Sequence, residues 1–197
     1  RDLHYPLRRQ RQMCIRDSLT MGLPYICPYN VNSVMNPILV ACLGLGYLFN
    51  MYRGKPLVRE GSVVIMTHPT PWEFHPVHHP SYIDFFERVL SQTKDPVEMS
   101  TRFEKAFAED EWYRHLYRTS YAYHGVHPFY MWYWCAHALD HLGQVIIVGG
   151  NVESVRRLGF RPATTLHDAF EIATDVVGPQ PTITHLKTPP ISMANVQ

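Results

Sequence analysis

A chain of 197 residues with 46% hydrophobic content is long enough to bury a core and too apolar to stay disordered, so one domain is the expectation. Its 18 basic and 17 acidic residues balance to +1 with no long run of either sign, which excludes a nucleic-acid surface or polybasic membrane patch and favours small-molecule or protein partners. The excess lies in 12 histidines, 16 prolines and a 13% aromatic share, residue types that build ligand pockets and ordinary cores alike.

Residues 1–18 are arginine-rich and lack a hydrophobic period, and Met13-Cys-Ile-Arg-Asp-Ser18 resembles a translated sequencing adapter. This stretch is expected to be foreign or disordered, with 19–197 a single α/β domain. Cys14, Cys27, Cys42 and Cys135 form no C-x-x-C pair and no signal-peptide pattern is seen, so a reducing cytoplasm is the expected compartment. The longest apolar run, 37–49, is shorter than the ~20 residues of a membrane span.

In chain order, the apolar run 23–27 reads as a short strand, followed by a polar loop through Asn30, Asn32 and Ser33. Asn36-Pro37 is a helix start, because the asparagine side chain can accept from a free amide and proline tolerates the first helical position. The helix predicted over 38–53 is apolar on nearly every side, and Gly44 and Gly46 permit close approach of a neighbour. A strand over 62–66 then opens onto a stiff loop of histidine, proline and aromatic residues, 67–82.

Pro80 begins another helix, and one amphipathic helix is predicted over 97–118. An aromatic segment, 121–134, enters a helix at Pro128. Gln144-Val-Ile-Ile-Val148 is the clearest strand and Gly149-Gly-Asn151 turns it into a short helix. Thr165-Leu-His-Asp168 has the form of a capping box, and 182–186 reads as a last strand. Strands that are apolar runs separated by helices imply an α/β fold: a mainly parallel sheet with helices on both faces, three-layered and Rossmann-like.

In such a sheet the loops after the strands share one edge, where ligands bind. That placement makes His68, His75 and His79 candidate substrate contacts. His75, His78 and His79 could also offer imidazoles to a metal beside Glu73, although their spacing matches no strong metal motif and the prolines suit helix capping equally well. His124 and His127, among aromatic rings with Tyr130, can form an acid/base pair in an apolar pocket or sit satisfied in a core. Asn30, Asn32 and Asn36 can bind hydroxyl or carboxylate groups, or close Asx turns.

Several stretches together carry a family resemblance: Leu23-Pro-Tyr-Ile-Cys-Pro-Tyr-Asn-Val-Asn-Ser33, the run 52–65, His78-His-Pro-Ser-Tyr82, Tyr123-His-Gly-Val-His-Pro-Phe-Tyr-Met-Trp-Tyr-Trp134, and the closing segments at 158–160 and 182–184. From residue 19 onward the chain resembles the C-terminal domain of the nickel-dependent lactate racemase family, as a divergent branch. The resemblance implies an isomerase, a racemase or epimerase of 2-hydroxy acids acting by hydride transfer at the α-carbon. Its cofactor is a nickel-pincer nucleotide tethered to a lysine, and two histidines exchange the hydroxyl proton. The family carries those residues upstream of the matched region, so no catalytic or metal-ligating residue is assigned here. An N-terminal domain of the same protein is the implied partner, besides a small 2-hydroxy acid. The family's Tyr-Gln-x-x-Lys substrate motif reads Val34-Met-Asn-Pro-Ile38 in this chain, which leaves Asn30, Asn32 and Asn36 as possible replacements and points away from lactate itself. The alternative is a ligand-binding or regulatory module that keeps the fold without the chemistry.

Overall fold

Ser18-Leu-Thr-Met-Gly22 alternates hydroxyl and apolar side chains and forms the first strand, β1 (Ser18–Gly22). In this computed structural model, which describes residues 17–196, the strand expected at 23–27 is instead the beginning of the loop that leaves β1. Asp17 also belongs to the fold: its carboxylate accepts from the Thr182 amide at 2.7 Å and hydroxyl at 2.8 Å, and it pairs with Arg59. Residues 1–16, most of the stretch expected to be foreign, lie outside the described residues, and Cys14 with them.

Helix α1 begins at Pro37–Ala41, passes through a π-helical turn at Cys42–Tyr47 and ends at Leu48–Asn50. Asn36 caps it, its Oδ1 accepting from the Leu39 amide at 3.1 Å. The helix stops short of the expected residue 53 because Tyr52–Gly54 leaves it as strand β2. Gly44 lets α1 lie close to the sheet: a Cβ there would stand 2.3 Å from Met66 Sδ, and the buried Met66 side chain would have to move.

Strand β3 (Val63–Thr67) leads through the histidine loop to helix α2 (Pro80–Asp84, continued by a π-helical turn at Phe85–Val89). The single helix expected over 97–118 is two. Helix α3 runs from Pro96–Met99 through Ser100–Glu104 to Lys105–Glu109, and helix α4 is Glu111–Thr119. Asp110 breaks the run: its backbone turns out of helical geometry and its carboxylate accepts from the Tyr113 amide at 2.9 Å, so a residue counted as part of a charged face is the cap of a new helix.

Helix α5 (His127–Leu139), strand β4 (Gln144–Val148), helix α6 (Val152–Arg157), strand β5 (Arg161–Ala163), helix α7 (Leu166–Val177), and strands β6 (Ile183–Leu186) and β7 (Ala194–Val196) complete the described chain. The capping box at the start of α7 forms in both directions between Thr165 and Asp168.

Five strands pair in the order β5-β4-β3-β1-β6, every pair parallel, and β2 and β7 form a separate parallel pair. The α/β architecture with helices on both faces is therefore present. Alternate residues divide the core. Leu19, Met21, Val64, Met66, Val145 and Ile147 face α1, α2, α5 and α6, while Val63, Ile65 and Ile146 face Ala169 and Ala173 of α7. The first face holds the large fully buried side chains, among them Trp132, whose indole N–H donates to the Lys94 carbonyl at 3.0 Å. Among the described residues no helix is long and apolar enough to cross a membrane.

Candidate functional site at the carboxyl edge of the sheet

The loops after β1 (23–36), β3 (68–79) and β4 (149–151) meet at one edge, as parallel strands require. Backbone bonds tie them together: the His68 amide donates to Val148 and the Asn151 amide to Pro69 at 2.8 Å. The described non-glycine residues with left-handed backbone all lie in these loops, Val31 (φ 51°), Asn32 (φ 52°) and Thr70 (φ 42°). A β-branched residue in that region is strained, and such strain gathers at functional loops.

His68 is buried at the start of the β3 loop. Its Nδ1 accepts from the Thr70 amide at 2.9 Å, which places the ring proton on Nε2, and that Nε2 is buried without a hydrogen-bond partner. The ring lies beneath Tyr25, 5.1 Å between centroids. His79, fully buried at the head of α2, has the opposite polarity: Nε2 donates to the Tyr29 carbonyl at 2.9 Å, leaving Nδ1 a buried acceptor without a donor. One loop thus holds an unpartnered imidazole donor and an unpartnered imidazole acceptor, both beneath the β1 loop.

His127, the first residue of α5, shares its Nδ1 with the Tyr82 hydroxyl. Tyr123 stacks on both histidines, 5.6 Å from His79 and 4.3 Å from His127, and Tyr29 meets His127 edge-on at 5.0 Å. Burial pushes His68, His79 and His127 down to about 4, so all three imidazoles are neutral at neutral pH. Near charges act in second place: the Tyr29 carbonyl raises His79, His78 and His75 lower it, and His79 and His124 lower His127. Burial also raises the Tyr82 and Tyr123 phenols, which stay protonated donors.

The other candidates are placed differently. His75 stacks on His78 at 4.2 Å and its Nδ1 accepts from the amides of Val77 and His78, so it shapes its own loop. His124 accepts from the Val126 amide and sits edge-on to Tyr117. Tyr130 is exposed beside Tyr133. Asn30 closes the β1 loop, accepting from the Cys27 amide and donating to the carbonyls of Tyr25 and Ser33, so its polar groups are spent. Asn36 caps α1, and Asn32 is exposed at the loop tip. Of the nine candidate residues, only His79 and His127 meet in the ring cluster, beside His68 in the same loop. Tyr29, Tyr82 and Tyr123 were not among the candidates. The spacing of His79 to Tyr82, one helical turn, was the available signal for the second.

Among the described residues no three His, Cys, Asp or Glu side chains are grouped to hold a metal ion. His75 and His78 face each other but spend their Nδ1 atoms on backbone, and His79 turns its ring toward Tyr29 and Tyr123. His75, accepting on Nδ1, carries its ring proton on Nε2 and has no lone pair for a metal, and among the described residues no group of three ligands is assembled for nickel.

A larger opening lies nearby, an apolar crevice of about 710 Å³ with Thr20, Ile65 and Thr67 as floor, Leu166 and Phe170 of α7 on one side, and Ile183 and His185 on the other. Thr20 Oγ1 and His185 Nδ1 are 2.9 Å apart within it. It follows from topology. The connections from β1 to β5 place their helices on one face, the return to β6 places α7 on the other, and the switch falls between β1 and β6.

No family model matches the chain, and no curated protein matches it either. Among solved structures it is similar to the lactate racemase apoprotein from Thermoanaerobacterium thermosaccharolyticum, with a TM-score of 0.52 at 16% identity over 92% of this chain. The chain spans 36% of the length of that protein. The likeness is a distant structural relationship and shows a shared α/β fold.

Proposed function

We propose that this chain is a domain of a 2-hydroxy-acid racemase or epimerase, forming one wall of the substrate site at the carboxyl edge of its sheet. The observation that carries the proposal is the pair of buried, neutral and unpartnered imidazole nitrogens, His68 Nε2–H and His79 Nδ1, in a fold similar to that of a lactate racemase. A 2-hydroxy acid offers a carboxylate that needs a donor and a hydroxyl that needs an acceptor. His68 supplies the first and His79 the second. A neutral imidazole can also take the hydroxyl proton, which a charged one cannot. The hydride step and the nickel-pincer nucleotide belong to a partner N-terminal domain of the same protein, since among the described residues no group of three ligands is assembled for a metal.

The Tyr25 ring lies against His68 and the Tyr29 carbonyl holds His79 Nε2, so substrate entry requires the β1 loop to shift. The test is a titration of the chain with D- and L-2-hydroxy acids, followed by the ring resonances of His68 and His79, paired with α-deuterium exchange in the full-length protein carrying cofactor. Shifts of both rings and exchange are expected in the unaltered chain, with the His68 shift weakened and exchange lost in His79→Gln. Substrates that neither move these rings nor exchange would overturn the proposal.

A second reading, a binding or regulatory module without chemistry, draws on the crevice at the β1/β6 switch point. It predicts binding of 2-hydroxy acids or larger apolar ligands with no α-exchange.

A further inference from the structure

We propose that the concavity between α2 and α6 is a binding site for a small phosphate-bearing molecule. It measures about 570 Å³ and is lined by Trp72, Lys94, Glu153, Arg156 and Arg157 among others. It shares no residue with the histidine and tyrosine cluster.

Three cations and one carboxylate border this space. None of the ion pairs among the described residues involves Lys94, Arg156 or Arg157. Two of the cations are held in position. The Arg157 guanidinium lies over the Trp72 ring, 5.4 Å from its centroid, and donates to the Glu87 carbonyl at 2.9 Å. Trp72 in turn is fixed edge-on to Phe86. The Lys94 ammonium donates to the Leu90 carbonyl, and its stem runs past Gly159, with Cε 3.5 Å from where a Cβ would stand there.

Holding a half-buried ammonium near a guanidinium is unfavourable unless an anion joins them. Desolvation and the charge of Arg157 both act against the charged form of Lys94, in that order. A dianionic phosphate relieves both costs by accepting from the free N–H donors of two or three cations already in place. Phosphate chemistry, rather than a single carboxylate, matches three donors against one acidic neighbour.

The test is calorimetric titration of the whole chain with inorganic phosphate and with pyrophosphate at low and moderate salt. Arg156 and Glu153 are both exposed on α6, so their substitution leaves packing intact. Saturable binding that weakens with salt is expected, weaker by roughly fivefold in Arg156→Gln and tighter by roughly threefold in Glu153→Gln, the range of a single rim charge. The opposite signs separate this site from any other patch. No binding of either probe, or binding that both variants leave unchanged, would overturn the proposal. Because hydroxy-acid binding at the histidines is read separately, either result stands apart from the function proposed above.

Discussion

Among the described residues one face of the sheet carries α1, α2, α5 and α6, whereas the other carries α7, and the two differ in what they leave open. The crowded face is closed by side chains as large as Trp132, Tyr82, Phe85 and Phe86, all fully buried. The opposite face is closed over β3 and β4 by Ala169 and Ala173 with partly buried Phe170, Ile172 and Val177, and among the described residues the apolar crevice opens beside them over β1 and β6. Packing therefore concentrates stability on one side, and the other side retains room for a ligand. The histidine loop packs Trp72 and Phe74 against the crowded side, and its two buried imidazoles, His68 and His79, are dry and neutral.

The sharpest way to break this contrast is truncation on each face. Trp132→Ala is expected to cost about 3–5 kcal/mol, the range for emptying a large core site. Leu166→Ala, at the rim of the crevice, is expected to cost under about 1 kcal/mol. Urea denaturation of both variants measures the difference, and equal losses would mean that the crevice is part of the core.

Acid provides a second probe. In the unfolded chain a histidine titrates near 6.5, while in the fold His68, His79 and His127 resist protonation to about 4. Above pH 6.5 both states are neutral and these groups contribute no pH dependence. As pH falls from 6.5 toward 4 the unfolded chain binds protons that the native state cannot, so stability should drop through that window and the loss should level off below it. Thermal melts between pH 7.5 and 4 test this, and a flat midpoint would mean that the rings are open to solvent. A modest effect is expected from the cap on the sparse face, where Thr165→Ala removes the hydrogen bond that starts α7 for a cost of about 1 kcal/mol, measurable as a small shift in the melting midpoint.

Much of the fold was legible in local chemistry. Runs such as Val145-Ile-Ile147 are buried on both faces, and uninterrupted apolar strands have that meaning. Asn36-Pro37 and Thr165 to Asp168 announce their helices because a cap is a contact within four residues. What was hidden depends on distant partners. β1 is a strand because Leu19 to Gly22 align with Val64 to Thr67 and Ser18 to Met21 with Ile183 to Leu186, while the more apolar 23–27 has no such neighbours. Asp110 looked like one charge among several until its backbone turned. At the site, the β3 loop was correctly expected at the sheet's carboxyl edge, but whether Asn30 was free or spent depended on three hydrogen bonds within its own loop. The tyrosines were hidden because ring contacts between residues 29, 82 and 123 join three separate elements.

The described cysteines, Cys27, Cys42 and Cys135, are free and buried, and burial pushes Cys42 up to about 12. A thiol held that far from its reactive thiolate cannot be alkylated until the surrounding structure opens. Cys27 lies in the loop that covers the histidines, while Cys42 and Cys135 lie in α1 and α5 of the crowded face. The chain thus carries its own clocks: the labelling rate of Cys27 times the lifting of the cover, and the rates of the other two time the parting of the helices beneath it.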